Sequence, residues 1–201
     1  VVFPRLCAAA MESFPAPALK LVELLSAKAT AQPSRAIAFQ GAPGANSHLA
    51  ALEFDADCLP LPCFSFEDAI DAVKEDRAER AIIPIENSKH GRVADIHFLL
   101  PESGLVITGE HFLGIRYALM GLGPLDGVRE AVSHPQALGQ CRHWLRERGI
   151  SPHSYPDTAG AAALVAEGCN PAVAALAPLV AAELYGLETL AVDIADAEHN
   201  M

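Results

Sequence analysis

Apolar residues come in short blocks divided by polar turns, and the period within the blocks switches along the chain. Ile37-Ala38-Phe39 is an apolar run stopped by Gly41, Pro43 and Gly44, which predicts a strand and a turn. A helix is expected to follow through about Phe54, with Leu49 and Leu52 inside and His48 and Glu53 outside. Ser65-Phe66-Glu67-Asp68 has the form of a capping box and opens a helix expected to end near Arg80. Residues 81–85 predict a buried strand, and residues 105–108 and 115–120 two further β segments. Residues 128–133 lead into a helix whose Ala137, Leu138, Cys141, Trp144 and Leu145 share an apolar face. A strand at 152–155, a helix at 159–167, a strand at 173–176 and a helix at 179–185 complete the series. Upstream, residues 15–29 predict an amphipathic helix with Leu19, Val22 and Leu25 at helical spacing. Strands alternating with helices in this way indicate an α/β fold with a mostly parallel sheet.

No internal repeat is visible. Gly109, Gly114, Gly121, Gly123, Pro124 and Gly127 punctuate one region, which predicts a crossing between two small α/β lobes. Ligands commonly sit between such lobes. The expected organisation is an N-terminal extension over 1–34, a first lobe from 35–111 and 188–201, and a second lobe over 112–187. Met11 is the first plausible start, so residues 1–10 are set apart from the fold.

Composition narrows the function. The 201 residues are 51% hydrophobic and 19% charged, enough for a packed core, and the formal net charge is -11. That balance argues against nucleic acid and anionic membrane as partners. No apolar run approaches the roughly 20 residues of a membrane span. The five cysteines form no C-x-x-C pair, which fits buried thiols in a reducing, cytoplasmic protein. The histidines lack metal-binding spacing, and Asp193 and Asp196 read as a solvated face, so no metal is expected.

Four polar turns stand where strands run into helices, the usual place for a ligand in open α/β sheets. The first carries Gly44, Ala45, Asn46 and Ser47, with glycine backbone and helix N–H groups that suit an anion, although it is no nucleotide fingerprint. The second, Glu86-Asn87-Ser88, groups hydrogen-bonding side chains, of which Asn87 and Ser88 could instead cap the next helix. The third holds Ser133 and His134, with Gln136 and Gln140 one helical turn apart; His134 could serve as a cap or a ligand contact. The fourth is Asp157-Thr158-Ala159, where one residue must cap a helix.

Together these turns resemble the catalytic domain of the prephenate dehydratase family. The resemblance rests on Phe39-Gln40-Gly41 with Gly44-Ala45-x-Ser47, Pro84-Ile85-Glu86-Asn87-Ser88 with Gly91-x-Val93, and Ser133-His134-Pro135-Gln136-Ala137-Leu138 with Gln140-Cys141. Asp157-Thr158-Ala159-x-Ala161-Ala162 and Ala181-Ala182-x-x-Tyr185-Gly186-Leu187 complete it, in family order from about residue 36 to 201. It implies two α/β lobes of the periplasmic-binding-protein type II kind with the active site between them. It also implies a carbon–oxygen lyase that converts prephenate to phenylpyruvate with loss of water and carbon dioxide, in phenylalanine biosynthesis, without cofactor or metal. Arogenate dehydratase, or a ligand-binding module that kept the cleft without the chemistry, are the alternatives. Carried over by motif, Ser47, Ser88, Ser133, His134, Thr158 and the amides of Gly44, Ala45 and Ala159 would bind substrate. Glu86, Asn87 and Gln140 would position the reacting ring and its leaving hydroxyl. The family commonly dimerises, so a homodimer is expected. Asn46 stands where the family usually has Tyr, and Asn200-Met201 where a Thr-Arg-Phe motif would follow. The resemblance therefore implies a truncated catalytic domain, impaired as a catalyst and lacking a regulatory ACT domain.

Overall fold

The computed structural model describes residues 14–88 and 91–196, in which the alternation of the sequence becomes two sheets of unequal size. The smaller has three parallel strands, β1 (Ala36–Gln40), β2 (Leu59–Cys63) and β3 (Arg80–Ile82), in the order β2-β1-β3. β1 is central because its first four residues are all buried and apolar, as a strand covered on both faces requires. On one face α1 (Leu19–Ala31) and α3 (Phe66–Lys74) bring Ala29, Ala69 and Ala72 against Ala36, Ala38 and Leu61. On the other, α2 (Asn46–Phe54) brings Ala51 against Ile37.

β2 reads Leu-Pro-Leu-Pro-Cys, a composition that hides a strand from sequence analysis. Its prolines occupy alternate positions of an edge strand, where their missing N–H groups can turn away from β1. The capping box forms as expected: the Ser65 hydroxyl accepts from the Asp68 N–H and the Asp68 carboxylate from the Ser65 N–H, both at 3.1 Å. α3 ends at Lys74 instead of near Arg80, since the chain turns through Asp76 at φ 55° to reach β3. The buried strand expected at 81–85 is a half-exposed edge strand over 80–82, and Ile85 is exposed. A hairpin follows, β4 (Glu86–Asn87) against β5 (Gly91–Arg92), then α4 (Ala94–Ser103). Residues 105–108 form no strand and leave Val106 80% exposed, because no described strand lies beside them to take their backbone groups.

The larger sheet has the order β10-β6-β9-β7-β8. It comprises β6 (Ala118–Gly121), β7 (Glu130–Ser133), β8 (Ser151–Ser154), β9 (Val173–Ala177) and β10 (Glu188–Ala191). β9, β7 and β8 run parallel, whereas β6 is antiparallel to both its neighbours. α5 (Pro135–Gln140) and α6 (Arg142–Glu147) cover one face with Leu138, Cys141 and Leu145 against Leu119 and Leu176. α7 (Thr158–Gly168) and α8 (Leu179–Tyr185) cover the other with Ala161, Val165 and Ala181 against Met120, Val132 and Ala175. The single apolar helix expected after β7 is thus two, broken at Cys141.

Two boundaries move. Residues 188–196 belong to the larger sheet and not to the first lobe: β10 closes the open edge of β6, and Ile194 is buried in that core. Residues 197–201 lie outside the described residues. The N-terminal extension is part of the fold from Phe14 onward, since α1 packs on β2 and Ala18 is buried with Ala42, Ala159 and Ala163. Among the described residues no helix is long and apolar enough to cross a membrane.

Candidate active site

The carboxyl ends of strands from both sheets meet at the boundary between the lobes. β1 runs into a turn in which Gly44 has φ +97°, a conformation that side-chain-bearing residues rarely adopt. A Cβ at Gly44 would lie 3.0 Å from the Ala181 Cβ and 3.6 Å from the Ala159 Cβ, so the missing side chain lets the turn settle on the starts of α7 and α8. From α8, the Tyr185 hydroxyl donates to the Pro43 carbonyl at 2.7 Å. This contact places two half-buried hydroxyl residues, Ser47 in the first turn of α2 and Thr158 at the start of α7, on either side of the boundary.

His48 is not outside, as expected, but 3% exposed. Its ring stacks on Phe39 with centroids 5.0 Å apart, and its Nδ1 accepts the Gly44 N–H at 2.9 Å. The readable signal was the four-residue interval from Gly44, one helical turn, which returns the imidazole beneath the turn. Burial lowers the His48 pKa to about 4, below its ordinary 6.5. The unfolded chain therefore binds this proton at higher pH than the folded one, and the stability contributed by neutral His48 is complete above pH 6.5 and lost as pH falls toward 4. The loss is on the order of 3 kcal/mol. Chemical denaturation of the wild type and His48→Phe across that range checks this: the variant's stability should fall less between pH 6.5 and 4.

The amides expected to hold an anion are already engaged. Gly44 donates to His48, Ala45 N–H donates to the Ala42 carbonyl at 3.0 Å, and Ala159 N–H donates to the Asp157 carboxylate. Asp157 also accepts from Gly160 N–H at 2.6 Å and so caps α7. Burial raises the Asp157 pKa, against the backbone hydrogen bonds and nearby His134, which lower it. A substrate carboxylate at these amides would have to displace their present acceptors. Ser133 is fully buried, and its hydroxyl donates at 2.6 Å to the Leu176 carbonyl, tying β7 to β9. His134 takes the cap role, its Nδ1 accepting from Gln136 N–H at 3.2 Å, so a ligand contact would fall to Nε2.

Asn87 and Ser88 do not cap the next helix, which starts at Ala94 after Val93. They stand on the hairpin with Glu86; Glu86 and Ser88 are exposed and Asn87 is half-buried. Gln140 is half-buried at the end of α5, and its position has a cause that sequence analysis missed. Asp196, expected on a solvated face, donates its N–H to the Gln140 carbonyl at 2.6 Å. Its carboxylate accepts from the His143 and Trp144 N–H groups at the start of α6. The chain after β10 thereby fixes the helix break beside Gln140. Among the described residues no group of metal-ligating side chains forms. The described cysteines are free: Cys58, Cys63 and Cys141 are buried, as expected, with pKa values raised by desolvation, whereas Cys169 is exposed.

Residues 37–201 match the family model described as prephenate dehydratase. The chain belongs to the prephenate dehydratase family. It is 46% identical over 168 residues to a bifunctional N-acyl-homoserine lactone acylase/prephenate dehydratase of Komagataeibacter europaeus, covering 83% of this chain and 60% of that protein. Arogenate dehydratase 2 of Petunia hybrida is 38% identical over 179 residues, covering 88% and 45%. The solved prephenate dehydratase of Arthrobacter aurescens, in complex with L-Phe, superposes with a TM-score of 0.73 at 30% identity, covering 82% of this chain and 58% of that one. The chain thus spans about half the length of the curated relatives it matches. Its two lobes are those of the family fold.

Proposed function

We propose that this domain carries out the decarboxylating dehydration of prephenate to phenylpyruvate, with arogenate as the alternative substrate. The observation that supports it most is the meeting of the Gly44 turn with the starts of α7 and α8, inside a chain of this family. In the reaction the C1–carboxylate bond breaks and its electrons enter the ring. The C4–oxygen bond breaks, and the departing hydroxide takes up a proton, giving carbon dioxide, water and an aromatic ring. Ser47, Thr158 and His134 are suited to hold the substrate's anionic groups by neutral hydrogen bonds. Glu86, Asn87, Ser88 and Gln140 are the groups proposed to orient the ring and its leaving hydroxyl, with Glu86 the carboxyl able to carry a proton. Aromatisation drives the reaction, so the protein's part is orientation and stabilisation of the charge that develops at the leaving oxygen.

Incubation of the full chain with prephenate and with arogenate, following phenylpyruvate and phenylalanine, tests this reading. Phenylpyruvate from prephenate is expected. Faster release of phenylalanine from arogenate moves the substrate to the aminated acid. Hydrolysis of an N-acyl-homoserine lactone in place of both would replace the reading with the other activity named for the Komagataeibacter relative.

A further inference from the structure

Asn46 opens α2 directly after the turn that settles against the larger lobe. Its Oδ1 is buried and has no hydrogen-bond partner among the described residues. A buried acceptor left unsatisfied costs about 1–3 kcal/mol, and native structures keep few of them. Three nearby backbone donors are used elsewhere: Gly44 N–H on His48, Ala45 N–H on Ala42 and Leu49 N–H on Ala45. The Asn46 side chain reaches the phenol of Tyr117, itself 6% exposed, and opposes the rise in the Tyr117 pKa that burial causes. Tyr117 is buried in one core cluster with Cys141, the residue that follows Gln140 at the end of α5. On its other side, Ala45 packs with Ala159, the neighbour of Thr158. Asn46 therefore stands between a residue packed on the start of α7 and a tyrosine buried with Cys141 in the larger lobe.

We propose that the Asn46 side-chain carbonyl is a substrate contact that accepts a hydrogen bond from a donor on the substrate, and so helps to set which acid is processed. This inference rests on the function proposed above. Prephenate and arogenate present carboxylates, and prephenate a keto oxygen, all of them acceptors that Oδ1 cannot use. Their donors are the ring hydroxyl, present in both, and the ammonium, present in arogenate alone. A neutral amide oxygen meets either without adding negative charge beside a substrate that already carries two carboxylates. Sites built to hydrogen-bond a substrate OH or NH reject analogues lacking it strongly, by up to about 10⁴-fold or more.

The test compares kcat/KM of the wild type, Asn46→Leu and Asn46→Asp on prephenate and arogenate, with ligand-free melting curves. Asn46→Leu removes the acceptor at similar volume. It is expected to lower kcat/KM at least tenfold on one or both substrates with the protein still folded at the assay temperature; any fall in the ligand-free melting temperature reports the contact with Tyr117 that leucine also gives up. Loss confined to arogenate assigns the contact to the ammonium; equal loss on both assigns it to the ring hydroxyl. Asn46→Asp keeps an oxygen acceptor and should retain more of the affected activity than Asn46→Leu, which also guards against a leucine variant that fails to fold. Unchanged kinetics in both variants beside an active wild type would overturn this inference alone. A wild type that converts neither substrate would overturn the proposed function, and this contact with it.

Discussion

Gly44→Ala is expected to lower the melting temperature by on the order of 10 °C and to remove most activity. The added Cβ would stand 3.0 Å from the Ala181 Cβ and 3.2 Å from the Ala181 Cα, and the second of these is backbone that cannot rotate away. The φ of +97° adds strain of its own. Strain of about 1–3 kcal/mol and overpacking of a similar size act together, and each kcal/mol shifts a chain of this length by about 2–4 °C. The turn also carries Ser47, and a displacement near 1 Å can reduce turnover about 10²-fold. Thermal melting and kcat/KM check both parts. Ala181→Gly in the same chain should recover part of the stability, because it clears the nearer contact but leaves the strain at residue 44. A Gly44→Ala protein that melts like the wild type would show that the two lobes do not meet tightly there.

Gln140→Ala and Asn87→Ala should act in the opposite sense, on chemistry more than on folding. If each side chain orients the leaving group, its removal should lower kcat by on the order of 10²-fold, as loss of one preorganised donor does elsewhere. Stability should change by less than about 1 kcal/mol. At Gln140 the bond that fixes the helix break uses the backbone carbonyl, which alanine retains. At Asn87 the side chain does not cap α4, the helix that follows. Early melting with normal turnover in both variants would make the two side chains structural.

Much of the larger lobe was legible in the sequence. Residues 179–185 were predicted as the helix that forms, and Ala159, Ala161 and Val173 lie in elements whose period and punctuation agree with the structure. Local pattern failed where the deciding partner was distant. β2 was hidden by Pro60 and Pro62, which only an edge position tolerates. Residues 105–108 had the composition of a strand without a neighbour to pair with. β10 joined the larger sheet because β6 offered it an edge, a fact no local window contains. At the site, residue types located the turns, but not the state of their atoms. Ser133 carries the hydroxyl expected of a binding residue and spends it inside the sheet. His48 looked like a surface residue until Phe39 and Gly44 supplied a stacking face and a donor.

The centre of the seam between the lobes is made of methyl groups and one absent side chain: Ala18, Ala42, Ala159 and Ala163, with Gly44 against Ala181. Such a seam can drift in only one direction. None of these central positions has bulk to surrender, so a larger residue on one side finds no larger residue directly opposite that could shrink in exchange; bulk stands only at the margin, in Phe14 and Tyr185. Compensating pairs, the ordinary route by which packed interfaces diversify, are closed to it. Adaptation to a different substrate is therefore channelled to the polar rim of the seam, to positions such as Asn46, Ser47 and Thr158, where a side chain can change its chemistry without changing how closely the two lobes approach.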